Sequence, residues 1–243
     1  MTMSARVVLV TGSTSGIGEA TAQRFAEMGD SVVFNSRSSV EAGERLAAAT
    51  PGSLYVRADI ANPEECEGLL HRVLERYGQL DVLVNNAGVT KVINHRDLEA
   101  ASVEVWREIF EVNVFGTWQL SVAAMPALKE SHGSIVIVSS AASVRPTGSS
   151  IPYAVSKAAL NHLTALLAKV VGPEVRVNAV APGLIDTPWT ADWDAVRGFV
   201  QSVAPLQRSG TSGDIADVIV GLTTTPYMTG QVVVVDGGLT LAI

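Results

Sequence analysis

The stretch Val7-Val8-Leu9-Val10-Thr11-Gly12-Ser13-Thr14-Ser15-Gly16-Ile17-Gly18 decides how the rest of the chain is read. Four apolar, mostly β-branched residues predict a short strand covered on both faces. The glycines that follow have separate uses. Gly12 allows a tight exit from the strand, Gly16 lets backbone approach a pyrophosphate with no Cβ in the way, and Gly18 lets a helix lie close on the sheet. A helix opening there turns free N–H groups and the positive end of its dipole towards phosphates. Turns are also glycine-rich for purely structural reasons, so it is the order strand, loop, helix that favours a nucleotide site.

Outward from this loop the same alternation repeats. Strands are predicted at Val7–Val10, Ser31–Phe34, Leu54–Arg57, Val82–Val84, Ser134–Val138, Arg176–Val180 and Val232–Val235. Helical spacing marks Ile17–Met28, Val40–Ala49, Glu64–Tyr77, Ser102–Leu128, Tyr153–Val171 and Ile215–Leu222. This pattern predicts the α/β class: one doubly wound Rossmann-type domain over residues 1–243, with a seven-stranded parallel sheet and right-handed crossovers. The segment Leu184–Arg208, rich in Trp, Asp and Pro, breaks the alternation. An insertion after the sixth strand overhangs the carboxyl edge of an open sheet, where ligands bind, and is read as a substrate lid.

Composition removes other classes. The 243 residues hold 17 Lys+Arg against 24 Asp+Glu, a formal charge of −7, with no basic stripe to meet a nucleic-acid backbone. At 47% hydrophobic and 17% charged the chain can fill a sizeable core. The single cysteine, Cys66, argues against a disulfide-stapled module and for the cytoplasm. Val7–Val10 is too short for a signal-peptide core, and the apolar run Val218–Val235 is cut by Gly221, Pro226 and Gly230, so no membrane span is expected. His71, His95, His132 and His162 have no ligand spacing with Cys66 or a carboxylate cluster, and no metal is expected.

The most informative pair is Tyr153 and Lys157, four residues apart and therefore neighbours on one helix face. Ser139 and Ser140 end the strand before that helix, on the same sheet edge as the phosphate loop. A phenol with an ordinary pKa of about 10 is a poor base at neutral pH, but a nearby cation favours phenolate and makes proton exchange with an alcohol feasible. Trp189 and Trp193 either line an apolar pocket or pack within the insertion. Arg145 either meets an anionic substrate group or is a solvated loop residue.

Taken in order, Thr11-Gly12-x-x-x-Gly16-Ile17-Gly18, Asp59, Asn85-Asn86-Ala87-Gly88, Asn113, Ser140 with Tyr153-x-x-x-Lys157, Pro182-Gly183 with Thr187, and Val235-Asp236-Gly237-Gly238 resemble the short-chain dehydrogenase/reductase family over nearly the whole chain. The resemblance implies an oxidoreductase that moves a hydride between a nicotinamide cofactor and a carbonyl/alcohol pair. It implies a tetrad in which Tyr153 is the general acid/base, Ser140 holds the substrate oxygen, Lys157 lowers the Tyr pKa and bonds the nicotinamide ribose, and Asn113 supports a water chain to Lys157. Ser140 is preferred to Ser139 because the family interval to the Tyr is thirteen residues. Around the cofactor it implies Gly12, Ser13, Ser15, Gly16, Ile17 and Gly18 at the phosphates, and Asp59 with Ile60 at the adenine. Asn86, Ala87 and Gly88 would lie beside the adenosine ribose, and Pro182, Gly183, Ile185 and Thr187 at the nicotinamide.

At the end of the second strand the position that is acidic in NAD-binding folds is Ser36, and Arg37 follows with donors suited to a 2′-phosphate. NADP(H) is therefore expected over NAD(H). The family resemblance also implies a homotetramer, although the loop after Leu222 is shorter than relatives usually carry. A 3-oxoacyl carrier-protein reductase is similar to this chain, but Lys169 alone makes a thin basic patch for an acidic carrier, which ranks a small ketone, an acyl-CoA-type compound or a cyclic alcohol first. A glycine-loop methyltransferase explains neither Tyr153 with Lys157 nor Ser140, and a dinucleotide sensor without turnover has no need of the tetrad.

Overall fold

The computed structural model describes residues 5–243. In chain order the elements are β1 (Val7–Val10), α1 (Gly16–Glu27), β2 (Ser31–Ser36), α2 (Val40–Ala49), β3 (Leu54–Arg57), α3 (Pro63–Tyr77), β4 (Val82–Asn85), α4 (Val103–Phe110), α5 (Thr117–Glu130), β5 (Ser134–Val138), α6 (Ile151–Val171) and β6 (Arg176–Pro182). They are followed by β7 (Ile185–Asp186), α7 (Asp194–Val203), β8 (Gly210–Thr211), α8 (Ser212–Thr224), β9 (Val232–Val235) and α9 (Leu239–Ala242).

The main sheet has seven parallel strands in the order β3-β2-β1-β4-β5-β6-β9. The chain reverses its direction of growth between β1 and β4, which opens a crevice at the carboxyl ends of those two strands. Each face of the sheet has its own core. Leu9, Val33, Leu83, Ile135 and Val177 pack against α3, α5 and α6, while Val8, Val10, Phe34, Val84, Val136 and Val180 pack against α1 and α8. Neighbouring residues of a strand point to opposite faces, so burial on both sides demands the continuous apolar runs seen in the sequence.

Local signals set the helix starts. Asn62 accepts from the Glu64 and Glu65 amides at 2.9 and 3.3 Å ahead of α3, with Pro63 in its first turn and left-handed Gly78 closing it. Ser150 caps α6 by accepting from the Tyr153 amide at 3.4 Å. Thr211 and Asp214 form a reciprocal capping box on α8.

One expectation changes. The single helix read over Ser102–Leu128 is α4 and α5 joined by a π-helical stretch, Glu111–Gly116. The i→i+5 bonding of a π turn takes up one extra residue, a local change that lies inside an otherwise continuous helical run. The 184–208 segment, which breaks the alternation, carries β7, a 3₁₀ turn at Pro188–Thr190 and α7, and β7 pairs with β8 beyond it.

Candidate active site

A cleft of about 470 Å³ runs along the carboxyl edge of the sheet, from the turn after β1, past β4 and β5, to the segment after β6. Its floor at one end is the glycine loop. Gly12 and Gly16 have φ of 59° and 57°, in the left-handed region. A Cβ on Gly18 would stand 2.4 Å from the Gly12 carbonyl, so only glycine lets α1 lie against the loop. Ser15 stands at the N-cap of α1 without a side-chain cap, which leaves first-turn amides open towards the cleft. The loop is held from behind by Asn86, whose Nδ2 donates to the carbonyls of Thr11 and Gly12 at 2.9 and 3.0 Å. Asn35, which spacing does not single out for this task, accepts from the Gly12 amide and donates to the carbonyls of Val56 and Ala58.

Of the residues expected at the cofactor, Gly12, Ser15, Gly16, Ile17, Arg37, Asp59, Ile60, Asn86, Ala87, Gly88, Pro182, Gly183, Ile185 and Thr187 all line the cleft. Ser13 and Gly18 do not. The Ser13 hydroxyl turns inward and accepts from the Asn35 amide at 2.9 Å, and Gly18 serves packing. Ser36 is buried with its hydroxyl 2.9 Å from the Tyr55 phenol oxygen. Arg37 reaches into the cleft mouth, where its guanidinium is 4.0 Å from Asp59 and mostly exposed.

The reacting end is built by β5 and α6. The α6 cap puts Tyr153 in the first helical turn, facing Ser140 across the cleft floor. Burial pushes the Tyr153 phenol up, and the Ser140 hydroxyl pulls it back. The two adjacent serines separate cleanly. Ser139 is buried, with its hydroxyl 2.7 Å from Asn161 Oδ1 and 3.1 Å from the Lys157 carbonyl, whereas Ser140 accepts from the Ala142 amide and stays beside the phenol.

Lys157 is buried at 4% exposure, and its Nζ donates to the Val138 carbonyl at 2.8 Å. Burial pushes its ammonium down to about 8. Its Nζ lies 5.7 Å from the centroid of the Tyr153 ring. Burial is the largest influence on the phenol, and the ammonium donates to the Val138 carbonyl. Asn113, within the π-helical stretch, is fully buried and outside the cleft lining. Its side chain accepts from the Val89 amide at 2.8 Å and donates to the Val89 carbonyl and Ser156 Oγ, both at 3.0 Å, clamping the segment after β4 to α6.

These groups fit a dinucleotide. The loop approaches the cleft without a Cβ, the opening turn of α1 is uncapped, and Lys157 is a buried cation whose ammonium has three donors and one protein acceptor among the described residues. Arg145 is an exposed loop residue outside the cleft lining, and its Nε donates to the Thr240 carbonyl at 3.0 Å, which ties the loop to α9. Trp189 and Trp193 both line the cleft, the Trp189 ring standing edge-on to Tyr153 at 6.5 Å. Thr90 and Ser149, which no motif marked, line the opposite wall with their hydroxyls 2.5 Å apart. Among the described residues no group of His, Cys, Asp and Glu is placed to hold a metal ion, and no helix is long and apolar enough to cross a membrane.

Comparison with known proteins agrees with this geometry. A family model described as Enoyl-(Acyl carrier protein) reductase matches residues 12–240. A Streptomyces violaceoruber protein, named as ketoacyl reductase 2 of the granaticin polyketide synthase, is 56% identical over 238 residues, 96% of each chain. The 3-oxoacyl-[acyl-carrier-protein] reductase FabG of Thermotoga maritima is 36% identical over 252 residues, 99% of this chain and 100% of its own. A solved Burkholderia xenovorans structure, described as a short-chain dehydrogenase/reductase, superposes with a TM-score of 0.92 at 38% identity, covering 98% of this chain and 99% of its own. The chain belongs to the short-chain dehydrogenase/reductase family, NAD(P)-dependent oxidoreductases acting on a CH–OH/C=O group.

Proposed function

We propose that this protein is an NADP(H)-preferring carbonyl reductase, reversible as an alcohol dehydrogenase, with Tyr153 as its general acid/base. The observation that carries this reading is the convergence of Tyr153, Ser140 and Lys157 at one end of a cleft whose other end is the Gly12–Gly18 loop. The nicotinamide, when bound, supplies or accepts the hydride at the substrate carbon. In reduction the Tyr153 phenol gives its proton to the carbonyl oxygen while Ser140 donates a hydrogen bond to the same oxygen. A phenol kept protonated by burial suits that acid role at neutral pH. The two N–H bonds of Lys157 not used on Val138 hold ribose hydroxyls, and its charge favours the phenolate left behind. Because the Asn113 side chain is committed to Val89 and Ser156, its part in proton supply runs through its backbone.

Gly12, Ser15, Gly16 and Ile17 hold the pyrophosphate and Asp59 with Ile60 the adenine. Asn86, Ala87 and Gly88 flank the adenosine ribose, and Pro182, Gly183, Ile185 and Thr187 flank the nicotinamide. Arg37, in place of an acidic residue, takes the 2′-phosphate, and Ser13 and Gly18 act by shaping the loop. The overhanging 184–208 segment serves as the substrate lid, and the exposed Phe115, Trp118 and Val122 beside α5, with Val155, Leu166 and Val170 on α6, support a homotetramer. The names of the relatives make a 3-oxoacyl thioester one of the ketones to test. The test is NADPH consumption by purified protein with acetoacetyl-CoA and a panel of ketones. Absence of turnover with every carbonyl would reject the reading.

A further inference from the structure

We infer that the substrate half of the cleft selects a neutral ketone whose carbon body is apolar and ring-sized, and discriminates against carboxylates and polyols; this deepens the carbonyl-reductase reading and rests on it. The inference comes from the wall facing Tyr153. Trp189, Trp193, Val196, Phe199, Val200 and Leu239 form it. Three of these, Trp189, Val196 and Phe199, are 45–50% exposed although they face a cavity, so large apolar surface is left in water beside the reacting phenol. An apolar ligand would remove that surface from water, whereas sugar hydroxyls set against it would lose their hydration without gaining partners.

Charge gives the second argument. The cleft lining contains three ionisable side chains besides Tyr153: Arg37 and Asp59 at the adenine end, and Lys157, buried and bonded to Val138. Arg145, the one cation the sequence offered for an anionic substrate, is held by Thr240 and lies outside the lining. A carboxylate near the reacting carbonyl would be desolvated with no counter-charge of its own.

The wall is also built rather than loose. Arg197 on α7 donates to Asp186 at 2.9 Å, to Asp194 at 2.6 Å and to the Thr190 carbonyl at 3.1 Å. It thereby ties the helix carrying Phe199 to β7 and to the turn carrying Trp189. Thr190 Oγ1 is spent on the Ile185 carbonyl at 2.6 Å, so it does not soften the wall with a free hydroxyl.

The experiment is a ligand-observed NMR titration of the wild type, with NADP⁺ present, using 2-tetralone, cyclohexanone, 4-oxocyclohexanecarboxylate and D-glucose, with turnover of the same compounds measured in parallel. The expected result is that 2-tetralone binds at least tenfold more tightly than either smaller ketone and that glucose binding is not detectable. Trp189→Ala and Phe199→Ala, at half-exposed positions, should each remove most of that tenfold advantage while changing cyclohexanone binding less than threefold. A carboxylate or glucose bound as tightly as 2-tetralone, or a ring preference that survives both substitutions, overturns the inference. The expected binding order without turnover of any ketone would support the wall's selectivity and count against the hydride-transfer reading instead.

Discussion

Lys157 Nζ and the Val138 carbonyl oxygen lie 2.8 Å apart, and this bond holds a buried ammonium at the end of β5, 5.7 Å from the centroid of the Tyr153 ring. A cation held this way is a cost to the fold that is accepted for the sake of the site. Burial takes its pKa from the ordinary 10.5 to about 8. Below pH 8 folded and unfolded chains are both protonated, and the whole cost is present. Between pH 8 and 10.5 the folded chain releases the proton first, so the cost fades as pH rises.

Lys157→Met should therefore change the pH dependence of stability in a defined direction. Relative to the wild type, the variant should be most stable below pH 8 and lose about 3 kcal/mol of that relative advantage by pH 10.5, because the folded chain releases the Lys157 proton at about 8 rather than 10.5. Comparing the two proteins also cancels the titrating groups that lie away from Lys157. Urea unfolding at several pH values checks this, and a flat difference across the window would show that Lys157 titrates normally.

Tyr153→Phe removes only the proton carrier, since the ring can keep its edge-on contact with Trp189. Turnover should fall by at least ~10²-fold, with NADPH affinity nearly unchanged. Steady-state rates with the best ketone, and a cofactor titration, separate the two effects. Wild-type turnover in the variant would rule out Tyr153 as the acid/base.

Arg37 stands mostly exposed at the cleft mouth, 4.0 Å from Asp59. A charge-assisted contact to a 2′-phosphate worth about 1.5–3 kcal/mol predicts a ten- to hundredfold preference for NADPH over NADH, which Arg37→Ala should abolish. Fluorescence titration of both cofactors against both proteins decides it. Equal affinities in the wild type would leave NAD(H) as the better assignment.

The Asp214 carboxylate joins the α8 cap to the lid segment. Arg208 donates to both its oxygens at 2.7 and 3.1 Å, and the Thr211 amide donates at 2.7 Å. Arg208 first, then the Thr211 amide, holds its pKa well below the ordinary 3.8. A depressed carboxylate stabilises the fold above its unfolded pKa and loses that contribution as pH falls through the folded one. Asp214→Ala should cost about 0.5–2 kcal/mol at pH 7, and the difference from the wild type should shrink below about pH 4. Thermal unfolding at pH 7 and pH 3 measures it; an equal difference at both would mean that the charge contributes nothing.

Most of the sheet could be read from the chain alone because strands buried on both faces have to be continuously apolar, and Val7–Val10 and Ser134–Val138 are found where those runs predict them. The glycine loop and the Tyr153/Lys157 spacing were equally visible, since each depends on neighbours in sequence: a left-handed turn needs glycine, and a helix brings residues four apart together. What tertiary structure alone decided are the relations between distant segments. Spacing could not say that Lys157 turns to Val138, that Ser13 faces Asn35 rather than the cleft, that Thr240 takes Arg145, or that Asn113 is spent on Val89. Each is a hydrogen bond whose partner is chosen by how strands and helices pack, and a buried donor takes the acceptor that packing places within reach. The apolar wall opposite Tyr153 belongs to the same group, because Trp189 and Phe199 face one cavity only after Arg197 has drawn α7 onto β7.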